Sequence, residues 1–125
     1  MTDKTDNVYD ALEKLFHEPN RLSIMSAVCA ADKGLSFNDL KAACNLTDGN
    51  LNRHLKVLEE ARAVKIQKSF VDSKPRTTIS LSQHGLARFT EYLSALSEVL
   101  DKARRTMPAG EKKDVPLAMG ETVRA

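Results

Sequence analysis

The sequence predicts a mainly α-helical domain with one small β-hairpin, an α+β fold in which residues 1–105 form a single domain and residues 106–125 a flexible tail. Three observations predict it. Apolar residues recur at a helical period between positions 8 and 58, the period shortens to two between 64 and 81, and a long helical period returns between 86 and 100. A chain of 125 residues with 42% hydrophobic and 29% charged side chains has the composition of a folded domain rather than a disordered segment. No run approaches the ~18 uninterrupted apolar residues of a membrane span, and residues 1–10 lack the basic and apolar parts of an export signal. A cytoplasmic location is therefore expected.

Asp6 is placed to cap a first helix with Val8, Leu12, Leu15 and Phe16 on one face, ended by Pro19. A second helix follows at once, with the stripe Leu22, Met25, Val28 and Cys29 and an exit turn at Asp32, Lys33 and Gly34. Ser36 with Asp39 three residues later is a short capping box, opening a third helix that carries Phe37, Leu40, Ala43 and Cys44 and ends near Asn45. Thr47 caps a fourth helix, over about 47–61, whose buried stripe is Leu51, Leu55 and Leu58; Leu46 and Leu51 are spaced as a hydrophobic staple.

The hairpin spans about 64–81. Val64, Ile66 and Phe70 share one face, Thr77, Ile79 and Leu81 alternate after the turn, and Asp72, Ser73, Lys74 and Pro75 supply the turn chemistry. Ser82 then caps a last helix with Leu86, Phe89, Leu93, Leu96 and Leu100 at alternating steps of three and four, the spacing of a coiled-coil seam. At ~24 residues it is about 36 Å long, more than a core of this size covers, so part of it is expected to meet a second subunit. Packing against the first helix is the competing account of the same seam.

The net charge of +2 is unremarkable, but its distribution is not. Residues 62–76 hold Arg62, Lys65, Lys68, Lys74 and Arg76 against Asp72 alone, with Arg53 and Lys56 just upstream. Two short capped helices joined by the tight connection of Asn45, Leu46 and Thr47, then a basic hairpin, follow the order of a helix-turn-helix and its wing. The stretch 35–96, LSFNDLKAACNLTDGNLNRHLKVLEEARAVKIQKSFVDSKPRTTISLSQHGLARFTEYLSAL, resembles the winged-helix regulators of the MarR and ArsR type. It is most similar to their small single-domain branch, with GNLxRHLxxLEE at 49–60, KxRT at 74–77 and LSxxG at 81–85, and it covers about half the chain. The resemblance implies a winged helix-turn-helix with a long C-terminal dimerisation helix, acting on duplex DNA as a homodimer. One departure stands out: such proteins usually end the recognition helix in Gly plus an apolar residue, whereas here Ala61 is followed by Arg62 and Ala63.

With Leu51 set at the core, a turn of about 100° per residue points Gly49, Arg53, Lys56 and Glu60 outward, with Asn50 and Asn52 at the flanks. Asn amides and an Arg fork make the paired hydrogen bonds that adenine and guanine edges present in the major groove. Asn50, Asn52 and Arg53 are thus the expected base contacts, and Thr47, Lys56, Lys68, Lys74 and Arg76 the expected phosphate contacts. The resemblance further implies that Lys74 or Arg76 enters the minor groove. Solvation alone would also make this helix face polar; the basic wing beside it favours DNA. The expected dimer interface joins Leu86, Phe89, Leu93, Leu96 and Leu100 with Val8, Leu12 and Leu15. His54 falls at the edge of the buried stripe, where a structural histidine is the simpler account.

Metal sensing, frequent among ArsR-type relatives, would have to use Cys29, Cys44, His17, His54 or His84. None of these pairs has ligand spacing, and both cysteines fall on apolar faces, where buried inert thiols are expected rather than a disulfide. No cofactor is expected. With no phosphate loop, nucleophile motif or carboxylate pair in an apolar setting, neither is an enzyme. The rival function is a winged helix used as a protein-interaction module without DNA binding. A second alternative keeps DNA binding and adds a small-molecule effector in the crevice beside the dimer helix.

Overall fold

The computed structural model describes residues 13–108. Its elements run α1 (Pro19–Ala30), β1 (Leu35–Ser36), α2 (Phe37–Cys44), α3 (Asp48–Glu60), β2 (Val64–Val71), β3 (Lys74–Leu81) and α4 (Gln83–Thr106). The three strands form one antiparallel sheet in the order β1-β3-β2. Helices with a small antiparallel sheet and a long last helix make this a winged-helix α+β fold. Residues Glu13–Thr90 make one compact unit, and α4 from Glu91 onward belongs to another.

Each helix start is set by a local side chain. Ser36 accepts from the Asp39 amide at 3.1 Å, Thr47 Oγ1 from the Asn50 amide at 3.1 Å, and Ser82 Oγ from the Gly85 amide at 2.8 Å. The first helix is different. Asp6, Val8 and Leu12 lie outside the described residues, and residues 13–18 form a turn in which the Phe16 and His17 amides both donate to the Glu13 carbonyl. Pro19 does not end a helix but opens one: at N1 its missing N–H costs nothing, and the Glu18 carboxylate caps the Arg21 amide at 2.7 Å.

In the unit Glu13–Thr90 the core is built from Phe16, Ile24, Met25, Val28, Leu40, Leu51, Leu55, Leu58, Val64, Ile79 and Phe89. The α1 stripe is turned from the expected one. Ile24, Met25 and Val28 are buried, which puts Cys29 about 90° from the centre of that face, and it is exposed; Cys44 is only half-buried. The expectation of two buried thiols is therefore corrected. Within α4, Tyr92 and Ala95 are buried in addition to Phe89, whereas Leu86 and Leu93 are 47% and 41% exposed. Phe89 meets Phe16 edge to face, ring centres 5.3 Å apart, so this member of the expected seam packs within its own chain.

Two turns frame the hairpin. Arg62 takes the left-handed conformation, φ +64, in a Schellman arrangement: its amide donates to Glu59 at 2.9 Å and the Ala63 amide to Leu58 at 2.9 Å. The helix thus ends where a Gly-containing sequence would end it, with Arg bearing ~1 kcal/mol of backbone strain. The wing tip is shorter than expected. Val71 pairs with Lys74, so Asp72 and Ser73 alone make the turn, both with positive φ as a type I′ turn requires, and Pro75 lies in β3 opposite Phe70. The two-residue β1 carries no periodic signal and forms by pairing Leu35 with Ile79 and Ser36 with Thr78. Of the tail expected over 106–125, Thr106 still belongs to α4, and residues from 109 on lie outside the described residues.

Candidate nucleic-acid interface

Leu51, Leu55 and Leu58 hold α3 against the core, and His54 beside them is only 3% exposed. Arg21 Nη1 stands 3.3 Å from His54 Nδ1 and, a guanidinium being only a donor, donates to it, while the Asn20 amide nitrogen Nδ2 stands 3.5 Å from Nε2. Burial holds the imidazole below its ordinary pKa; Glu18, 3.9 Å away, pulls it up, while Arg53 and Arg21 push it down. The same Arg21 donates through Nε to the Leu15 carbonyl at 2.7 Å. His54 is thus the satisfied structural histidine of the sequence reading, and it ties α3 to α1 and to the turn before it.

With that side inward, Gly49, Asn50, Asn52, Arg53 and Lys56 are all exposed on the other. Thr47 caps the helix, and its hydroxyl proton stays available for a further acceptor. Arg53 Nη2 donates to Asn50 Oδ1 at 3.0 Å, which aligns the two candidate base-reading groups on the first turns. A Cβ at Gly49 would meet no protein atom within 4 Å, so the helix backbone there is bare. Asp48 is engaged with Lys41 of α2 at 2.7 Å, across the tight connection.

The wing contributes from two faces. Asn52 and Lys56 of α3 line one open cleft together with Ile66, Lys68 and Thr77 of the hairpin. Lys74 and Arg76 fall on the opposite face of the strands and line a second cleft with Ser36, Phe37, Asn38 and Val71. Phe37 and Thr77 border both, so the two clefts are contiguous. The structure thus places Lys68 beside the exposed helix face, and Lys74 and Arg76 around the edge of the wing. Sequence reasoning missed Glu59, which lines the first cleft and sets its acidic end; Phe70 shares a face with Val64 and Ile66 as expected, and at that point of the strand it is 74% exposed. The N-terminal end of α2 beside Lys74 and Arg76 was missed as well; no sequence signal marks it, because β1 brings it there.

The frame under this surface is tightly keyed. Ser82 Oγ donates to the Arg62 carbonyl at 2.6 Å, and a Cβ at Gly85 would stand 1.9 Å from the Ala63 carbonyl oxygen, so α4 starts directly on the backbone that joins α3 to the wing. Arg88 fastens the same corner, donating to the Ala61 carbonyl at 3.2 Å, pairing with Glu13 and lying 5.7 Å over the Phe16 ring.

Residues 20–100 match the family model described as a winged helix DNA-binding domain. An uncharacterized protein of Methanocaldococcus jannaschii is 36% identical over 80 residues, 64% of this chain and 86% of that one. Among solved structures, a transcriptional regulator homologue from Pyrococcus horikoshii superposes with a TM-score of 0.70 at 27% identity, covering 82% of this chain and 98% of that one. A mutant of MepR from Staphylococcus aureus, bound to an oligodeoxyribonucleotide, superposes at 0.61 with 18% identity over 90% of this chain and 81% of that one. The fold is that of MarR-family transcriptional regulators. Among the described residues no helix is long and apolar enough to cross a membrane.

Proposed function

The chain belongs to the winged helix DNA-binding domain family, and from that premise we propose that it is a transcriptional regulator that reads duplex DNA as a homodimer. The observation that carries the proposal is the exposed polar face that Gly49, Asn50, Asn52, Arg53 and Lys56 give α3, next to an Asp48 whose charge Lys41 pairs, opening onto a cleft whose other wall carries Lys68. In this reading α3 enters the major groove with Asn50, Asn52 and Arg53 on base edges. Thr47, Lys56, Lys68, Lys74 and Arg76 hold phosphates or the rim of the minor groove. The acids Glu59 and Glu60 confine DNA contact to the N-terminal part of the helix. The MepR structure, with its bound oligodeoxyribonucleotide, supports the reading by its shared fold.

Dimerisation is assigned to the apolar stripe that α4 leaves uncovered. Leu86 and Leu93 are exposed and Leu100 half-buried, at steps of seven, which is the spacing of one helix face meeting its copy. Leu96 borders that stripe, Leu15 is half-buried in the unit Glu13–Thr90, and Val8 and Leu12, expected to contribute, lie outside the described residues.

Selection from a random duplex pool in ~150 mM salt, where purely electrostatic binding is suppressed, tests the proposal. An inverted repeat with half-sites about ten base pairs apart is expected. On that duplex Arg53→Ala costs ~1–3 kcal/mol and relaxes sequence preference, whereas Lys74→Ala weakens all sequences alike. No enrichment by a folded dimer refutes the reading.

A further inference from the structure

His54 is the one ionisable side chain of α3 that is buried, while Asp48, Arg53, Lys56, Glu59 and Glu60 are all exposed. A leucine would continue the stripe of Leu51, Leu55 and Leu58 there without taking ring nitrogens out of water. What the imidazole adds is an acceptor. Arg21 of α1 donates to its Nδ1 from 3.3 Å, and the rest of that guanidinium is turned inward as well, Nε to the Leu15 carbonyl at 2.7 Å and Nη2 to the Lys14 carbonyl at 3.5 Å. One side chain thus ties the reading helix to α1 and to the turn before it, and each of its three nitrogens has a partner inside the chain.

That hold depends on the protonation of the ring. A protonated Nδ1 carries an N–H and accepts nothing, so the guanidinium facing it becomes donor against donor and cation against cation. The carboxylate beside it is Glu18, 3.9 Å from Nδ1, and its Oε1 is already engaged, capping the Arg21 amide at 2.7 Å. Protonation therefore sets the imidazolium to compete with the α1 cap for Glu18 while it turns Arg21 away. The charged groups acting on the ring are Glu18 before α1, Arg21 in α1 and Arg53 in α3: burial lowers its pKa, Glu18 opposes the fall, and Arg53 and Arg21 add to it. The ring is accordingly a neutral acceptor at neutral pH and a cation only in acid. Arg53 is its chain neighbour, and Asn50, one turn back, accepts from Arg53 at 3.0 Å, so a shift of α3 at His54 moves two of the groups assigned to base edges. Hydrogen bonds to base edges are lost when their partners move by about half an ångström.

We propose that Arg21 is a positioning residue for DNA reading: through its bond to His54 it seats α3 for the major groove, and protonation of His54 breaks that seat and weakens DNA binding in acid. This rests on the DNA-binding reading above. The probe is a duplex of about 30 base pairs carrying the sequence enriched by selection. At pH ~7.5 Arg21→Gln binds it about fivefold more weakly, the worth of one hydrogen bond, with the slope of log affinity against log salt unchanged, whereas Lys56→Ala lowers that slope by about one. Acid also charges the exposed His17 and His84, which favours DNA in every variant, so the wild type is compared with His54→Gln, whose carbonyl still accepts from Arg21 but does not titrate. The ratio of wild-type to His54→Gln affinity, set to one at pH ~7.5, falls about fivefold by pH ~5, and nowhere faster than about tenfold per pH unit, the limit for one proton. Far-UV circular dichroism defines the pH range over which both proteins stay folded, and checks that Arg21→Gln is folded at the pH of its titration. If the wild-type protein enriches no duplex, the DNA reading and this inference fall together. If it binds, three results overturn the positioning alone: folded Arg21→Gln binding as tightly as the wild type, Arg21→Gln losing salt slope as a phosphate contact would, or a ratio that stays flat throughout the folded range.

Discussion

Replacing Gly85 by Ala tests the keying of α4 onto the α3–wing junction. The added Cβ would lie 1.9 Å from the Ala63 oxygen and 2.6 and 2.7 Å from its carbonyl carbon and Cα, all backbone atoms that no rotamer change can clear. To reach the 3.0 Å that real Cβ contacts keep, the helix start or the junction must retreat by 1.1 Å, the difference of the two distances. That retreat breaks the Ser82 amide bond to Ala63, already 3.3 Å long, and strains the 2.6 Å bond from Ser82 Oγ to Arg62. Two hydrogen bonds at ~1 kcal/mol each, added to a backbone overpacking cost of ~1–3 kcal/mol, give a loss of ~3–5 kcal/mol. For a domain with ~5–15 kcal/mol of stability this is a large fraction, read as a lowered urea midpoint by far-UV circular dichroism. A loss below ~1 kcal/mol would show that the junction yields freely and that the glycine of the LSxxG segment is not demanded by packing.

Gly49→Ala makes the opposite case: the site is open, so the helix gains ~0.5–1 kcal/mol of stability, and the new methyl group weakens DNA binding by standing between backbone and phosphate; unchanged affinity in a titration would remove the close approach. Arg62→Gly relieves the left-handed strain and raises stability by ~1 kcal/mol in the same urea assay, with no gain refuting the strain. For His54 the folded pKa lies below the unfolded one, so the unfolded chain binds more protons as pH falls below ~6.5, and the stability present above that pH is lost on acidification. His54→Gln, whose carbonyl can still accept from Arg21, loses less between pH ~7.5 and ~5.5 than the wild type; equal losses would show that the imidazole titrates freely.

What could be read along the chain was whatever is encoded within a few residues. Ser36, Thr47 and Ser82 cap as expected because a cap is a contact between residues three apart, and the leucine stripe of α3 follows from helical period alone. The order of helices and hairpin, and with it the winged helix, therefore stood in the sequence, as did the exposure of Asn50, Asn52, Arg53 and Lys56. Contacts between distant residues decided the rest. Period does not say which edge of an amphipathic stripe meets a neighbour, so Cys29 was assigned inward until Ile24 took that side. Nor does it say where a core stops: Phe70 shares the face of Ile66 as the spacing predicts, but the strand outruns the body there and leaves the ring exposed. The coiled-coil spacing of α4 likewise concealed a division, Phe89 turning to Phe16 while Leu86 and Leu93 stay exposed. Capping and periodicity are local energies written into neighbouring residues, whereas burial is shared between elements, and only the packed chain sets it.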